Sequence, residues 1–233
     1  QNRPSSNCMY FHNWLLPLSV IITLGTITKD ADALMFVAYC SLFGVLYLIG
    51  ELPFFTRQKL RNNSYKVLGS LGTIILLLLL SFDWFWEDLR DDNFILKEAM
   101  LSPELFTSLL LTVMAGGLIA LRLKTKSLQD FKPIAGTFLL FIIIFLIGVS
   151  SALAVVLINI LVFTIGVATI RDGAKQDSLG IMNYGLLIIT ALVICRFFDT
   201  DISFIMRGVL FMLVGAGFFA TNYWMLKKRK SND

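Results

Sequence analysis

The chain has 233 residues, of which 57% are hydrophobic and only 15% charged, with a formal net charge of +4 and a mean hydropathy of +0.77. A soluble domain of this length is about half apolar and about a quarter charged, and its core cannot absorb so much Leu, Ile and Phe. These figures exclude a water-soluble globular domain and predict an all-α, polytopic membrane protein forming a single transmembrane domain.

A helix that crosses about 30 Å of hydrocarbon needs about 20 mostly apolar residues. Eight segments qualify: 11–28, 31–50, 65–86, 104–123, 134–149, 152–170, 179–197 and 202–226. The chain opens on Gln1, so a preceding segment is expected. The first apolar run has neither a basic lead-in nor a small-residue cleavage site and does not read as a signal peptide. Pro17 lies inside it and predicts a kink. Ser102-Pro103-Glu104 is a helix start: a cap, a first-turn proline and an acid at the positive helix end. Pro133 opens the fifth segment in the same way. Ser150-Ser151 separates it from the sixth, so 134–170 reads as a helical hairpin. Ser178 and Asp201 are the expected caps of the last two segments.

The charges set the orientation. With the tail Lys227-Lys228-Arg229-Lys230 placed in the cytoplasm, eight crossings put the N-terminus there too. The inner connections then hold Arg3, Arg57, Lys59, Arg61, Lys66, Arg122, Lys124, Lys126, Lys132, Arg171, Lys175 and the tail, which is 15 of the 20 Lys and Arg. Lys29, Arg90, Lys97, Arg196 and Arg207 fall outside. Every inner connection is basic, as the positive-inside rule requires, and the basic balance is explained without nucleic acid. Acids run the other way, 11 of 16 outside. Asp83, Glu87, Asp88, Asp91 and Asp92 make an acidic outer loop that reads as a solvated face. It lacks the ligand spacing of a calcium loop. Phe94-Ile95-Leu96 with Met100-Leu101 predicts a short interfacial helix. Trp84 and Trp86 are expected in an aromatic belt on that side, Tyr223 and Trp224 on the other.

Polar residues inside a membrane need a partner, a cavity or a function. Residues 196–208, RFFDTDISFIMRG, hold Arg196, Asp199, Asp201 and Arg207 between two apolar runs. The plainest reading is an ion-pair clamp between the seventh and eighth segments. The alternatives are an anion or headgroup site built on Arg207 and a contact with another subunit. Asn183 and Asn222 sit near the inner ends of the same segments and are expected to bond to each other, worth about 0.6 kcal/mol. Asn159 lies near mid-depth as a lone amide, with Gly166 two turns on along the same face. It reads as helix-packing glue or as the wall of a substrate path. Ala115, Gly116, Gly117 and Ala120, and later Gly215 and Gly217, predict close helix approach. Glu51 reads as an interfacial residue rather than a proton relay.

One histidine, His12, and three dispersed cysteines, Cys8, Cys40 and Cys195, offer no metal pattern. HExxH, GxSxG, Walker and DxD arrangements are missing. No catalytic residue, metal or cofactor is assigned. Residues 70–86 and 183–199 share a Gly near one end and a charged-aromatic other end, a faint 4+4 repeat.

Residues 178–230 carry an Asn-x-Gly opening a segment (Asn183, Gly185), an Arg-Phe-Phe-Asp turn (Arg196 to Asp199), Arg207-Gly208 and a late Asn222 before a basic tail. This pattern resembles the C-terminal end of a bacterial family of multi-pass membrane proteins, domain-of-unknown-function family 2157, with its relative 4401. The likeness covers about a quarter of the chain. It implies a bacterial inner-membrane location, a small cytoplasmic region ahead of the spans, and a second membrane-anchored protein with a GDYxxLxY motif as partner. It implies no activity.

The expected function is that of a non-enzymatic subunit or scaffold of an envelope complex, with the lipid bilayer and that second protein as partners. The alternative is a small-solute or lipid transporter with a path along Asn159, Asn183 and Arg207. A weaker third is an enzyme acting on a lipid-linked substrate with the 83–92 acids.

Overall fold

The computed structural model describes residues 6–27, 32–56, 62–91, 102–124, 132–197 and 203–230. Among these every regular element is helical: α1 Ser6–Leu24, followed by the 3-10 turn Gly25–Ile27, α2 Asp32–Gly50, α3 Pro53–Thr56, α4 Ser64–Leu79, α5 Trp84–Asp91, α6 Pro103–Leu123, α7 Pro133–Gly148, α8 Leu153–Lys175, α9 Leu179–Phe197 and α10 Phe204–Lys230. Each apolar segment of the sequence coincides with a helix, except 65–86, which coincides with two. Four helices, α2, α6, α8 and α9, are long and apolar enough to cross a membrane, and α4 with α5 makes a fifth candidate if the bent pair is one span. Residues 11–27, α7 and 204–220 are shorter apolar helices. The interfacial helix expected at 94–101 lies outside the described residues.

The chain divides into two compact units, Gln1–Leu76 with Trp84–Ala154, and Leu77–Asp83 with Val155–Asp233. In the first unit α2 is the centre, apolar around its whole circumference and buried almost throughout, as such a helix must be. It packs on α6 and α7. A hydroxyl pair, Ser41 with Thr112 at 2.8 Å, ties it to α6. On α6, Phe106, Leu109, Leu110 and Val113 are exposed while Glu104, Ser108 and Ala115 are buried. That is the inverse of a water-soluble helix, and such a continuous apolar face belongs in lipid.

The close approaches are not where the Gly116-Gly117 pair suggested: neither those glycines nor Gly215 and Gly217 have a neighbour within 4 Å of a built Cβ. The α6 face toward α2 carries Ser108, Thr112 and Ala115, and the next two residues rotate away from it at 100° per residue. Close packing instead occurs at Gly69, where a Cβ would lie 2.4 Å from the Tyr47 amide nitrogen.

Pro17 sits inside α1. A proline has no N–H for the carbonyl four residues back, and that carbonyl, of Asn13, accepts from the Ser64 hydroxyl instead.

The expected continuous third span is interrupted. α4 stops at Leu79, and the axis turns by 70° before Trp84–Arg90. Ser81 explains the stop: both its N–H (3.3 Å) and its hydroxyl (2.6 Å) donate to the Leu78 carbonyl, tightening the last turn. The charge of Asp83 then disfavours continuing into hydrocarbon. After the turn Trp84 is exposed, but Trp86 is fully buried in its unit. It is therefore not a belt residue. Its ring lies where a Gly148 Cβ would be, 2.2 Å away.

At the end of α2, four residues converge. Asn63 donates to the Gly50 carbonyl (2.7 Å). Lys66 pairs with one Glu51 carboxylate oxygen. Arg122 donates to the other at 2.9 Å and to the Glu51 carbonyl at 2.6 Å. Burial pushes the Glu51 carboxyl pKa up, but the hydrogen bonds and charges of Lys66 and Arg122 outweigh it and hold the group below its ordinary value.

In the second unit α8 and α9 cross closely. A Cβ on Gly166 would meet the Ile189 side chain at 2.7 Å, and one on Gly185 would lie 2.7 Å from the Ile170 amide nitrogen. The turn between them places Asp177 at φ 50°, with the Ser178 N–H on the Gly173 carbonyl, a helix stop of the left-handed kind. Gly185→Ala is expected to cost about 1–3 kcal/mol by overpacking. Gly180→Ala, with nothing within 4 Å of its Cβ, serves as the neutral control. Thermal melts in detergent check both.

Candidate functional site

The broken helix carries the site. Once Ser81 has closed the last turn of α4, its own carbonyl has no helical N–H to receive. The Asn159 side chain on α8 supplies one, donating from Nδ2 to the Ser81 carbonyl at 3.1 Å and to the Val155 carbonyl at 2.7 Å. Both neighbours are carbonyls, which only accept, so the amide nitrogen must face them. Asn159 Oδ1 is left buried and accepts no hydrogen bond among the described residues. An unmet buried acceptor costs about 1–3 kcal/mol, so the atom calls for a donor.

Arg196, in the last turn of α9, reaches the same serine. Its Nη2 donates to Ser81 Oγ at 3.2 Å, and its guanidinium lies 4.8 Å from the centre of the Phe82 ring. Stacking on the ring face and bonding to the hydroxyl orient the cation. Asn159 and Arg196 thus meet at one residue of a discontinuous helix.

A cavity of about 570 Å³ opens beside them. Its polar edge is Asn159 and Arg196; Phe163, Leu186, Ile189 and Val193 form much of its wall, and Leu213 and Gly217 of α10 close one side. Residues 186, 189, 193 and 196 recur at helical spacing and share one face of α9. The result is an apolar groove with a cation and an amide at one end. That suits an amphiphile better than a fully polar solute.

Of the other residues singled out in the sequence, Asp199 and Asp201 lie outside the described residues, and so does the side chain of Arg207, whose backbone is in α10. Asn183 is exposed on α9. Asn222 donates to the Phe218 carbonyl of its own helix at 3.2 Å. Asp83 is half-buried in the break, and Glu87 and Asp88 are exposed on α5. Asp91 ends that helix, and Asp92 is outside the described residues. Among the described residues no three His, Cys, Asp or Glu side chains gather.

Asn159 is not the lone amide its position suggested. Its partner is a backbone carbonyl, which hydropathy cannot reveal. Ser81 was missed altogether. Its signal was the Ser-Phe-Asp triplet at 81–83, a polar interruption inside an otherwise apolar run.

No protein-family model, no curated protein and no solved structure matches this chain.

Proposed function

We propose that the chain is an eight-span protein of a bacterial inner membrane, with both ends cytoplasmic, and that it carries a small amphiphile across or within the bilayer. The observation that carries this reading is the groove beside the break at Ser81, an apolar wall with Asn159 and Arg196 at its polar end. Irregular backbone at membrane depth is stable only where protein or a cavity meets its polar groups, and carriers place substrates at such breaks. Eight crossings are supported by four full-length apolar helices, the bent pair, and the three shorter apolar helices. The basic residues of the inner connections supply the orientation.

The test is transfer of a fluorescent phospholipid between leaflets of proteoliposomes holding the full chain. Transfer well above that of protein-free vesicles is expected, falling toward the protein-free rate with Gly217→Phe. A Phe there enters the groove without touching any atom at the Cβ position. Equal rates with and without the protein would end the reading.

A second reading, a subunit of an envelope complex, is favoured by α10, where Phe204, Ile205 and Phe219 are about 80% exposed. The family likeness of residues 183–222 points the same way, toward a membrane-anchored partner. Crosslinking in native membranes from a photoreactive residue at Phe219 should then capture a protein rather than lipid alone.

A further inference from the structure

The wall of the groove in the second unit defines what fits it. Leu186 and Arg196 are ten residues apart on one face of α9, an axial distance of about 15 Å. That is half of the roughly 30 Å hydrocarbon thickness, the depth that one acyl chain fills in a bilayer. Phe163, Ile189, Val193 and Leu213 line it, all apolar. Phe163 and Leu213 are more than half exposed, at 52% and 64%, so the groove opens sideways out of the helices. Both α8 and α9 are long and apolar enough to cross a membrane, and what lies beside such helices is hydrocarbon. Water does not stay in an apolar space, and an unfilled one forfeits dispersion contacts along its wall. The atoms at the polar end are engaged within the protein. Asn159 Nδ2 donates to the Ser81 and Val155 carbonyls, and its Oδ1 is enclosed. Arg196 gives Nη2 to Ser81 Oγ, faces the Phe82 ring, and has its Nε enclosed as well. Apolar contact along the wall is what the groove offers a ligand.

We infer that the groove binds a single acyl chain of a membrane lipid and selects it by chain length, without preference among headgroups. The inference rests on the amphiphile reading above and names the part of the amphiphile that is recognised. Contact with the wall grows with each methylene until the groove is full. Gly217 leaves the chain its room on the α10 side, where a Cβ would have nothing within 4 Å.

The test is native mass spectrometry of the full chain in detergent, titrated with dimyristoyl phosphatidylglycerol, dimyristoyl phosphatidylcholine, dihexanoyl phosphatidylcholine or glycerol phosphate. One dimyristoyl lipid should bind saturably, with the two headgroups within about threefold of each other. Dihexanoyl phosphatidylcholine should bind at least about tenfold more weakly, and glycerol phosphate should displace nothing. Gly217→Phe should weaken both dimyristoyl lipids at least about tenfold. Gly180→Phe, equally open but outside the groove, should bind like the wild type. If Gly217→Phe melts lower than the wild type, the comparison of long and short chains on the wild type decides. Equal affinity for long and short chains, binding that never saturates, or undiminished binding by a stably folded Gly217→Phe would overturn the inference. A tenfold preference between the headgroups, or displacement by glycerol phosphate, would also overturn it, marking a headgroup or free-anion site. Saturable binding of long chains without leaflet transfer would sink the carrier reading and leave this one standing. Transfer with no distinction between long and short chains would do the reverse.

Discussion

Glu51→Ala is expected to destabilise the first unit by about 3–5 kcal/mol, because removing one partner of a buried ion cluster strands the others. The carboxylate is shared by Lys66 and Arg122 from segments far apart in the chain, and all three side chains are largely shielded from solvent. Glu51→Ala leaves two neighbouring cations without the carboxylate they share. Combining it with Arg122→Leu should recover part of the loss, since one of the stranded charges is then gone. A double-mutant cycle on thermal melts in detergent measures the coupling. An additive double variant would show that Glu51 and Arg122 are not coupled.

The same cluster predicts a pH dependence. The Glu51 carboxyl is held below its ordinary value in the folded chain, so the unfolded chain takes up the proton first. The stabilisation is complete above about pH 4.3, the unperturbed glutamate value, and is lost as pH falls through the lower folded value. Glu51→Gln should therefore flatten the acid limb of stability against pH.

Trp86→Ala is expected to cost about 3–5 kcal/mol, the range for truncating a buried aromatic ring. Trp86 is fully enclosed in its unit, its ring filling the space left by the missing side chain of Gly148 and packing edge-on to Phe85 at 5.0 Å. Trp84, two residues away and half exposed, should tolerate the same change with less than about 0.5 kcal/mol. Opposite sensitivities at Trp84 and Trp86 would verify that Trp86, and not Trp84, packs against Gly148 of α7. Gly148→Leu should reproduce the Trp86 defect from the other side of the contact.

Helix positions were legible in the sequence because hydropathy reports burial from water, and each apolar run except 65–86 became one helix. The Ser102-Pro103-Glu104 start was also legible: the Ser102 hydroxyl accepts from the Leu105 N–H at 3.2 Å. Two other features were not. The break at Ser81 was hidden because a serine inside an apolar run ordinarily bonds to its own helix and leaves the run straight. Here the side chain and amide of Ser81 both turn to Leu78, and a distant amide takes the freed carbonyl. The Glu51 cluster was hidden for a different reason. Lys66 and Arg122 counted only toward the inner positive charge, a tally that is silent about pairing. Of the expected site, Asn159 and Arg196 were each singled out, but for separate roles. Their meeting place is a backbone atom, and no pattern of side-chain types announces one.

The junction at Ser81 also sets a schedule for biogenesis. Asn159 follows it by 78 residues and Arg196 by 115. At about 5–20 residues per second, Arg196 is made about 6–23 s after Ser81. Through that interval the nascent third segment carries an unmatched carbonyl and a half-made bend. The insertion machinery or local water must shelter this polar break until the later helices arrive, so slowed translation between residues 81 and 196 should raise turnover of the newborn chain.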